Sequence, residues 1–394
     1  MKVFQVGGSV RDKIIGRKSK DRDWVIVGGS EKQLLELGYR RVGKQFPVFL
    51  HPETNEEYAL ARTEKKTGVG HSSFTTSISM EISLEEDLAR RDFTINAMAM
   101  DSDGRIIDPY KGLLDIQTKI LRHVTKAFTE DPLRILRAAR FGATFGFQIA
   151  PETKNLMSKM VKSEEIKTLS AERIEREFRI ALAEKWPSRF FKILKECGAI
   201  TQTFPECDLI EFYDDHSGLF KALANTTGKE KQNAERHAIF CLYLNKYSRI
   251  DNSEQELITQ FSEKLRVANE SLELAQLLLA FSTKIMAALD LEAQRVLDLL
   301  ISIDAFRRPS RFIRLLETIE LSQISSTVTV EEVFQRTNFL RQAIEVAKNV
   351  NANKIFGTKE LTKIHFSEIN AKIAEERVRQ IETVQNQTFS LDKK

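Results

Sequence analysis

The stretch KDRDWVIVGG (residues 20–29) decides the reading of the amino-terminal third, because the apolar run WVIV follows two acids one residue apart, Asp21 and Asp23. An apolar run of this kind, closed by Gly-Gly, is a strand signal. Side chains alternate across a strand, so the two carboxylates point the same way, with Cα atoms ~6.6 Å apart at ~3.3 Å per residue. Placed like that they can grip one cation or a pair. Two-metal phosphoryl transfer needs ions ~3.5–4 Å apart, one activating the attacking hydroxyl and the other neutralising the triphosphate and the leaving pyrophosphate. Hard oxygen ligands of this type suit Mg²⁺. An isolated Asp-x-Asp also fits a solvated turn, so its neighbours carry the argument.

Upstream, VFQVGGSVRD (3–12) reads as a strand, a Gly7-Gly8-Ser9 turn and the start of a helix. Such a turn lets backbone N–H groups approach phosphates closely, and Arg11 adds a fixed positive fork. Downstream, β-type runs recur in PVFL, EYALA and INAMAM, separated by Gly, Pro and polar clusters. The segment 63–80, rich in Gly, Ser and Thr, reads as a mobile loop between strands. Glu57, in EEYALAR, is either a third acid near the metals or a solvated strand edge.

From Asp131 onward the spacing becomes helical, with long Leu, Ile, Phe, Lys and Glu-rich segments. In EDPLRILRAARF (130–141), Asp131 before Pro132 predicts a helix start, with Asp131 as cap. Asp131 and Arg134 then share a face and present an acceptor beside a donor fork. On their Watson–Crick edges cytosine and adenine both offer an amino donor beside a ring-nitrogen acceptor, whereas uracil and guanine reverse the order. An Asp-plus-Arg template therefore accepts C and A. It opposes like groups twice against G or U, a rejection of roughly 2–6 kcal/mol at ~1–3 kcal/mol per unmade buried bond. Arg137 and Arg140 continue the i+3 series toward the nucleotide's phosphates or an RNA end, and LSAERIEREF (169–178), with Ser170 as its cap, reads as a helix bracing this one.

A length of 394 residues fits two or three domains at ~150 residues each. The chain carries 60 Lys and Arg against 56 acidic residues, and the net +4 permits an anionic partner without demanding one. Cys197, Cys207 and Cys241 show no CxxC spacing, which predicts reduced thiols and a cytoplasmic address. The first residues reach Gly-Gly and charge too soon for a signal-peptide core or membrane span, so no membrane is expected, and no protein partner is inferred.

GGSVRD, DRDW, RRDFTINAMAM and EDPLRILRAARF, in this order, resemble the class II tRNA nucleotidyltransferases, the CCA-adding enzymes of the DNA polymerase β superfamily, and the bacterial ones most closely. The likeness runs through residues 1–205 and continues more loosely to SIDAFRRPSR (302–311). It implies an α+β nucleotidyltransferase head with a small mixed sheet over 1–125, a helical base-reading and neck region over 126–225, and an all-α body and tail over 226–394. It further implies Mg²⁺ on Asp21 and Asp23, and ATP and CTP contacts from Gly8, Arg11, Arg91, Arg137 and Arg140. Asp92 would meet the ribose 2′-hydroxyl, and the corresponding family residues read the base as Asp131 and Arg134 would. The implied reaction is template-independent addition of CCA to the tRNA 3′ end.

A helical carboxy-terminal region with scattered Lys and Arg suits recognition of the tRNA acceptor end by shape and phosphate. Relatives often carry there a metal phosphohydrolase domain marked by adjacent His-Asp. HAIFCLYLNK (237–246) has Leu242-Tyr243 in that place, so a degenerate region without phosphohydrolase activity is expected. His216, beside Asp214 and Asp215, fits either a metal ligand or a polar loop. Two rivals stand: an enzyme adding only A, only CC, or a poly(A) tail, which shares the head motifs, and a catalytically silent tRNA-binding or chaperone-like protein. In the family the 63–80 loop helps the site switch from C to A, which favours full CCA addition, and intact Asp21, Asp23 and Asp131 speak against silence.

Overall fold

A computed structural model of the chain describes residues 1–19, 22–43, 48–66, 74–208, 210, 218–224, 226, 232–247, 254–323, 329–356 and 365–391. It forms two compact units, Met1–Tyr213 and Asp214–Lys394.

The first unit is built on strands β1 (Lys2–Val6), β2 (Asp23–Val27), β3 (Arg40–Val42), β4 (Val48–Leu50) and β5 (Glu57–Leu60). It also has a hairpin, β6 (Arg62–Lys66) and β7 (Phe74–Ile78), and the short strands β8 (Ala99–Met100) and β9 (Ile106–Ile107). Among the described residues, seven of these form one mixed sheet in the order β3-β4-β5-β2-β1-β8-β9. At its centre β2 runs antiparallel to β1, with Val6 opposite Asp23, and parallel to β5, with Asp23 opposite Glu57. Alternation sends Val25 into a core with Val6, Ala61, Ile82, Leu88, Ala97 and Ala99, and Ile26 into another with Leu34, Phe49, Tyr58 and Leu60. A strand buried on both faces has no polar side to show, which is why WVIV is continuous rather than alternating. Helices α1 (Gly8–Ile15), α2 (Glu31–Glu36), α3 (Leu84–Ala89) and α4 (Gly112–Thr118) accompany the sheet.

Three expectations need correction. Within 63–80, read as a loop, residues 62–66 and 74–78 pair antiparallel; residues 67–73 lie outside the described residues. The Thr and aromatic content that resembled a polar connector is also good strand material, and the partner strand decided the outcome. INAMAM is strand only at Ala99–Met100, because Thr94–Asn96 turn as a 3₁₀ helix that aims the preceding charged residues. From Asp131 onward one short strand interrupts the helices, Gln148–Ile149, paired parallel with Ile120–Leu121.

Helix α5 (Leu133–Phe145) ends at Gly146, whose φ of 70° is the left-handed conformation that terminates helices. Helices α6 (Pro151–Lys162), α7 (Ala171–Leu182), α8 (Pro187–Glu196) and α9 (Ile200–Thr203) follow. α5 packs against α7 and α8. Behind it Phe178, Phe190, Phe191 and Phe204 form a buried aromatic cluster with ring centroids 5.3–6.4 Å apart.

The described part of the second unit is helical, from α10 (Gly218–Ala224) and α11 (Asn233–Tyr247) through α12 (Glu254–Lys264), α13 (Asn269–Met286), α14 (Ala293–Ser302), α15 (Pro309–Gln323), α16 (Val330–Lys348) and α17 (Ala352–Phe356) to α18 (Phe366–Leu391). No helix among the described residues is long and apolar enough to cross a membrane. The three cysteines are free and buried. His237 is buried in α11, with Nε2 2.9 Å from Ser262 Oγ and 3.4 Å from Cys241 Sγ.

Burial pulls the His237 imidazole down from 6.5 to about 4, so the folded chain holds it neutral. Between those two values the unfolded chain takes up a proton that the folded chain refuses. Stability therefore falls as pH drops through this window, by on the order of 3 kcal/mol at its lower end. Replacing His237 with Gln should flatten this acid limb, so that native and variant proteins approach each other in urea unfolding at pH 4.5 relative to pH 7. A gap independent of pH would contradict the assignment.

Candidate active site

The site starts where β1 stops. Gly7 turns the chain with φ 74°, a conformation that favours glycine, and a Cβ there would lie 2.7 Å from Arg91 Nη1 and displace that guanidinium. α1 begins at Gly8 and leaves first-turn N–H groups at its amino end, as the turn reading expected. One turn on, Arg11 donates to Asp12 Oδ1 through Nε and Nη2 at 2.9 and 2.8 Å, and through Nη1 to Asn96 Oδ1 at 2.5 Å.

Asn96 passes the connection on. Its Nδ2 donates to Asp92 Oδ1 at 2.9 Å, which also accepts Phe93 N at 2.9 Å; Asp92 Oδ2 accepts Arg137 Nε at 2.7 Å. A continuous chain, Asp12–Arg11–Asn96–Asp92–Arg137, thus ties α1, the 3₁₀ turn and α5 together. Burial pushes the Asp92 carboxyl up, but Arg137, the Asn96 hydrogen bond and Arg134 outweigh it and hold it at about 2. Arg137 is correspondingly raised, first by Asp92.

Asp131 caps α5 by accepting Leu133 N on Oδ1 at 3.0 Å, and its Oδ2 accepts Arg173 Nη2 from α7 at 2.8 Å. Regular helix geometry begins one residue later than expected, with Pro132 in the flanking position. Arg134 donates to the carbonyls of Ala127 at 2.8 Å and Arg90 at 2.7 Å. Arg140 Nε donates to Glu177 Oε2 at 2.5 Å, so α7 holds α5 through Glu177 and the capping Asp131 through Arg173, in keeping with the reading of 169–178 as a bracing helix. Ser170 occupies the cap position of α7, but its side chain makes no capping hydrogen bond. Leu133 also lines the cleft.

Asp87, fully buried, accepts Arg90 Nη2 at 2.8 Å and Arg91 Nη2 at 3.4 Å. Burial lowers the Arg91 guanidinium, opposed by Asp87 and Asp23, and its buried Nε has no hydrogen-bond partner among the described residues. Asp23 opens β2 and is exposed, with Glu57 in register on the parallel neighbour, ~4.8 Å away at the usual strand spacing. Asp21 lies outside the described residues, as do Asp214, Asp215 and His216.

These groups converge on one cleft of about 620 Å³, lined among the described residues by Gly8, Arg11, Asp23, Arg90, Arg91, Asp92, Asn96, Asp131, Leu133, Arg134, Arg137, Arg140, Phe141 and Arg173. Seven arginines face three aspartates, so the lining is strongly cationic and suited to a polyanion with acceptors all round it. Every expected site residue within the described set lines this cleft. Asn96, Phe141 and the inward reach of Arg173 were not expected. Asn96 stands four residues after Asp92 across a tight turn, and Phe141 reads from sequence as ordinary core.

The fold and the cleft define a nucleotidyltransferase head joined to helices. Residues 3–122 match the poly A polymerase head domain, and residues 146–210 match the family described as the probable RNA and SrmB-binding site of polymerase A. The chain is 42% identical over 375 residues to the Multifunctional CCA protein of Alkalilimnicola ehrlichii, and 40% identical over 373 residues to that of Pseudomonas fluorescens. Each match spans 89% of this chain and 91% of the relative. The fold resembles the Bacillus stearothermophilus CCA-adding enzyme in complex with CTP, at a TM-score of 0.65 and 22% identity over 99% of this chain and 93% of that one. It also resembles the Thermotoga maritima CCA-adding enzyme complexed with tRNA, at 0.61 and 19% over 99% and 91%. The chain belongs to the class II CCA-adding enzyme family.

Asp92 gives a test of the network. Replacing it with Asn should cost ~2 kcal/mol at pH 7, less than a fully buried pair because Arg137 is 33% exposed. A carboxylate with a depressed folded value stabilises above 3.8 and loses that contribution as pH falls toward about 2. The gap between native and Asp92→Asn proteins should therefore close over that window, as read by thermal unfolding.

Proposed function

We propose that the chain adds CCA to the 3′ end of tRNA, taking CTP and ATP and releasing pyrophosphate. The observation that carries this reading is the single cationic cleft on which the turn, strand, 3₁₀ and α5 motifs all converge, in a chain closely related to proteins named for CCA. CCA-adding enzymes of like fold have been solved in complex with CTP, ATP and tRNA, which agrees with these substrates. On this reading residues 1–125 are the catalytic head, 126–225 read the base and form the neck, and 226–394 meet the tRNA. The reduced, buried cysteines suit a cytoplasmic site of action.

Enzymes of this family use a divalent metal. The exposed carboxylate of Asp23 on the cleft, with Glu57 alongside, offers the hard oxygen donors such an ion needs, and we assign Mg²⁺ to Asp23 and Asp21. When bound, Mg²⁺ supplies hydroxyl activation and charge neutralisation on the triphosphate. Gly8 and Arg11 hold the triphosphate at the amino end of α1, with Arg91, Arg137 and Arg140 completing the cationic wall. Asp92 accepts from the ribose 2′-hydroxyl. The tRNA 3′-hydroxyl gives up its proton to solvent as its oxygen attacks the α-phosphorus, the bond from that phosphorus to the α–β bridging oxygen breaks, and pyrophosphate leaves into the arginines.

Asp131 and Arg134 select the base. Their partners use only part of each group: Arg134 donates one hydrogen from each terminal nitrogen and keeps the others, and Asp131 keeps lone pairs on both oxygens. The same bonds fix both groups in place, so the template for C and A is formed before the nucleotide arrives.

With tRNA truncated before CCA, CTP alone should extend by CC, and CTP with ATP by CCA; homopolymeric A tails or no extension would sink the proposal. Asp23→Ala should lower the rate by ~10³-fold, in the range seen on removing a transition-state donor. Asp131→Ala should raise use of UTP and GTP relative to CTP by roughly 10- to 100-fold, the worth of one or two base-edge bonds. With Leu242-Tyr243 in place of His-Asp, phosphate release from phosphomonoesters should stay at background with Mg²⁺, Mn²⁺ or Ni²⁺. Metal-dependent release that survived Asp21→Ala would overturn that expectation.

A further inference from the structure

We propose that Phe141 is a positioning residue for triphosphate binding, its ring acting as a cation–π floor that orders three cleft guanidiniums while leaving their N–H groups for the ligand. Arg140 Cζ lies 4.0 Å from the ring centroid, Arg11 Cζ 5.3 Å and Arg137 Cζ 5.4 Å. These are distances at which the ring quadrupole attracts a cation. Phe145, one turn later, extends the floor: its ring stacks on that of Phe141 at 5.7 Å and 16° and takes Arg11 at 4.7 Å.

Three like charges in one wall repel: burial is the main cause that lowers Arg11, and Arg140 lowers it further. Polar partners relieve that repulsion, but each consumes donors: Arg11 spends Nε and one Nη2 hydrogen on Asp12 and one Nη1 hydrogen on Asn96, Arg137 spends Nε and one Nη2 hydrogen on Asp92, and Arg140 spends Nε on Glu177. An aromatic face relieves it without accepting a conventional N–H bond, so the remaining forks stay available to phosphate oxygens. The floor is itself rigid. Phe93 meets Phe141 edge-on at 5.6 Å and 89°, and Phe128 meets Phe93 at 5.5 Å, which keys the ring into the core next to Arg91 and Asp92.

This inference rests on reading the cleft as a triphosphate site, and the test separates the two. Inorganic tripolyphosphate, which has no base, and cytidine, which has no phosphate, are compared as competitors of CTP in tRNA extension by the native protein and by F141L, F141M and F141Y. Phe141→Met keeps nearly the side-chain volume without a ring, so it decides the matter where Phe141→Leu does not fold. Tripolyphosphate inhibition should weaken about tenfold in the Leu and Met variants, the size of a desolvated cation–π contact, and stay within about twofold in Phe141→Tyr. Cytidine inhibition should stay unchanged in all. Unchanged tripolyphosphate inhibition in Phe141→Met, or an equal loss for both competitors, would overturn the role of the ring. Failure of tripolyphosphate to inhibit the native protein would overturn the triphosphate assignment itself, and the proposal with it.

Discussion

Like-charge repulsion is the constraint around which the first unit is organised. Seven arginines line one cleft, and burial lowers Arg11, Arg91 and Arg134, which is the signature of cations held where water cannot screen them. Each has polar partners, from its own segment or from elsewhere in the fold, those of Arg134 being the carbonyls of Ala127 and Arg90. Asp12 and Asn96 hold Arg11, Asp87 holds Arg90 and Arg91, Asp92 holds Arg137, Glu177 holds Arg140 and Asp131 holds Arg173. The pairs cross from head to α5 and from α5 to α7, so they hold the elements in mutual register as well as offsetting charge. An Arg-rich wall of this kind gains its full electrostatic return only with a polyanion in place, and the buried Nε of Arg91, without a hydrogen-bond partner among the described residues, is one place where that return is still incomplete.

Charge alone would not give the wall its shape. Phe93 follows Arg91-Asp92 and Phe141 follows Arg140, and these two rings meet edge to face in the core. Each motif therefore buries its aromatic residue and turns the charged residues before it toward the cleft. Such an aromatic pair contributes ~0.5–1.5 kcal/mol beyond its area, modest beside the burial of two Phe side chains at ~1.5–3 kcal/mol each. Its larger effect is geometric, since it fixes where the guanidiniums begin.

How legible the site was depended on the range of the contacts. WVIV, the Gly7-Gly8 turn and the cap at Asp131 are local devices, and each stands within a residue of where spacing put it. The seven-stranded order was not legible, because β2 pairs with β5 across more than thirty residues and the short strands at 40–42 and 106–107 carry no pattern of their own. The 63–80 segment misled because Thr-rich strands and polar connectors share a composition and only pairing separates them. Arg173 and Asn96 escaped for the same reason: their partners, Asp131 and Arg11, lie 42 and 85 residues away.

The long-range bonds that sequence could not disclose are also the ones that make a protein template for a base plausible. A lone Asp on a helix surface samples several rotamers, and a base edge would have to order it at a cost of up to ~1 kcal/mol or more per side chain. Here Arg173 and the Leu133 amide order Asp131, and two backbone carbonyls order Arg134, before any nucleotide binds. Discrimination between bases depends on the penalty for mismatched groups, and that penalty is realised only if the reading groups cannot rotate away. On the proposed base-reading role of Asp131 and Arg134, a rigid pair rejects more strongly than the same two residues left free, and α7, which supplies Arg173 without lining up with any nucleotide motif, would then serve that reading by holding Asp131 in place.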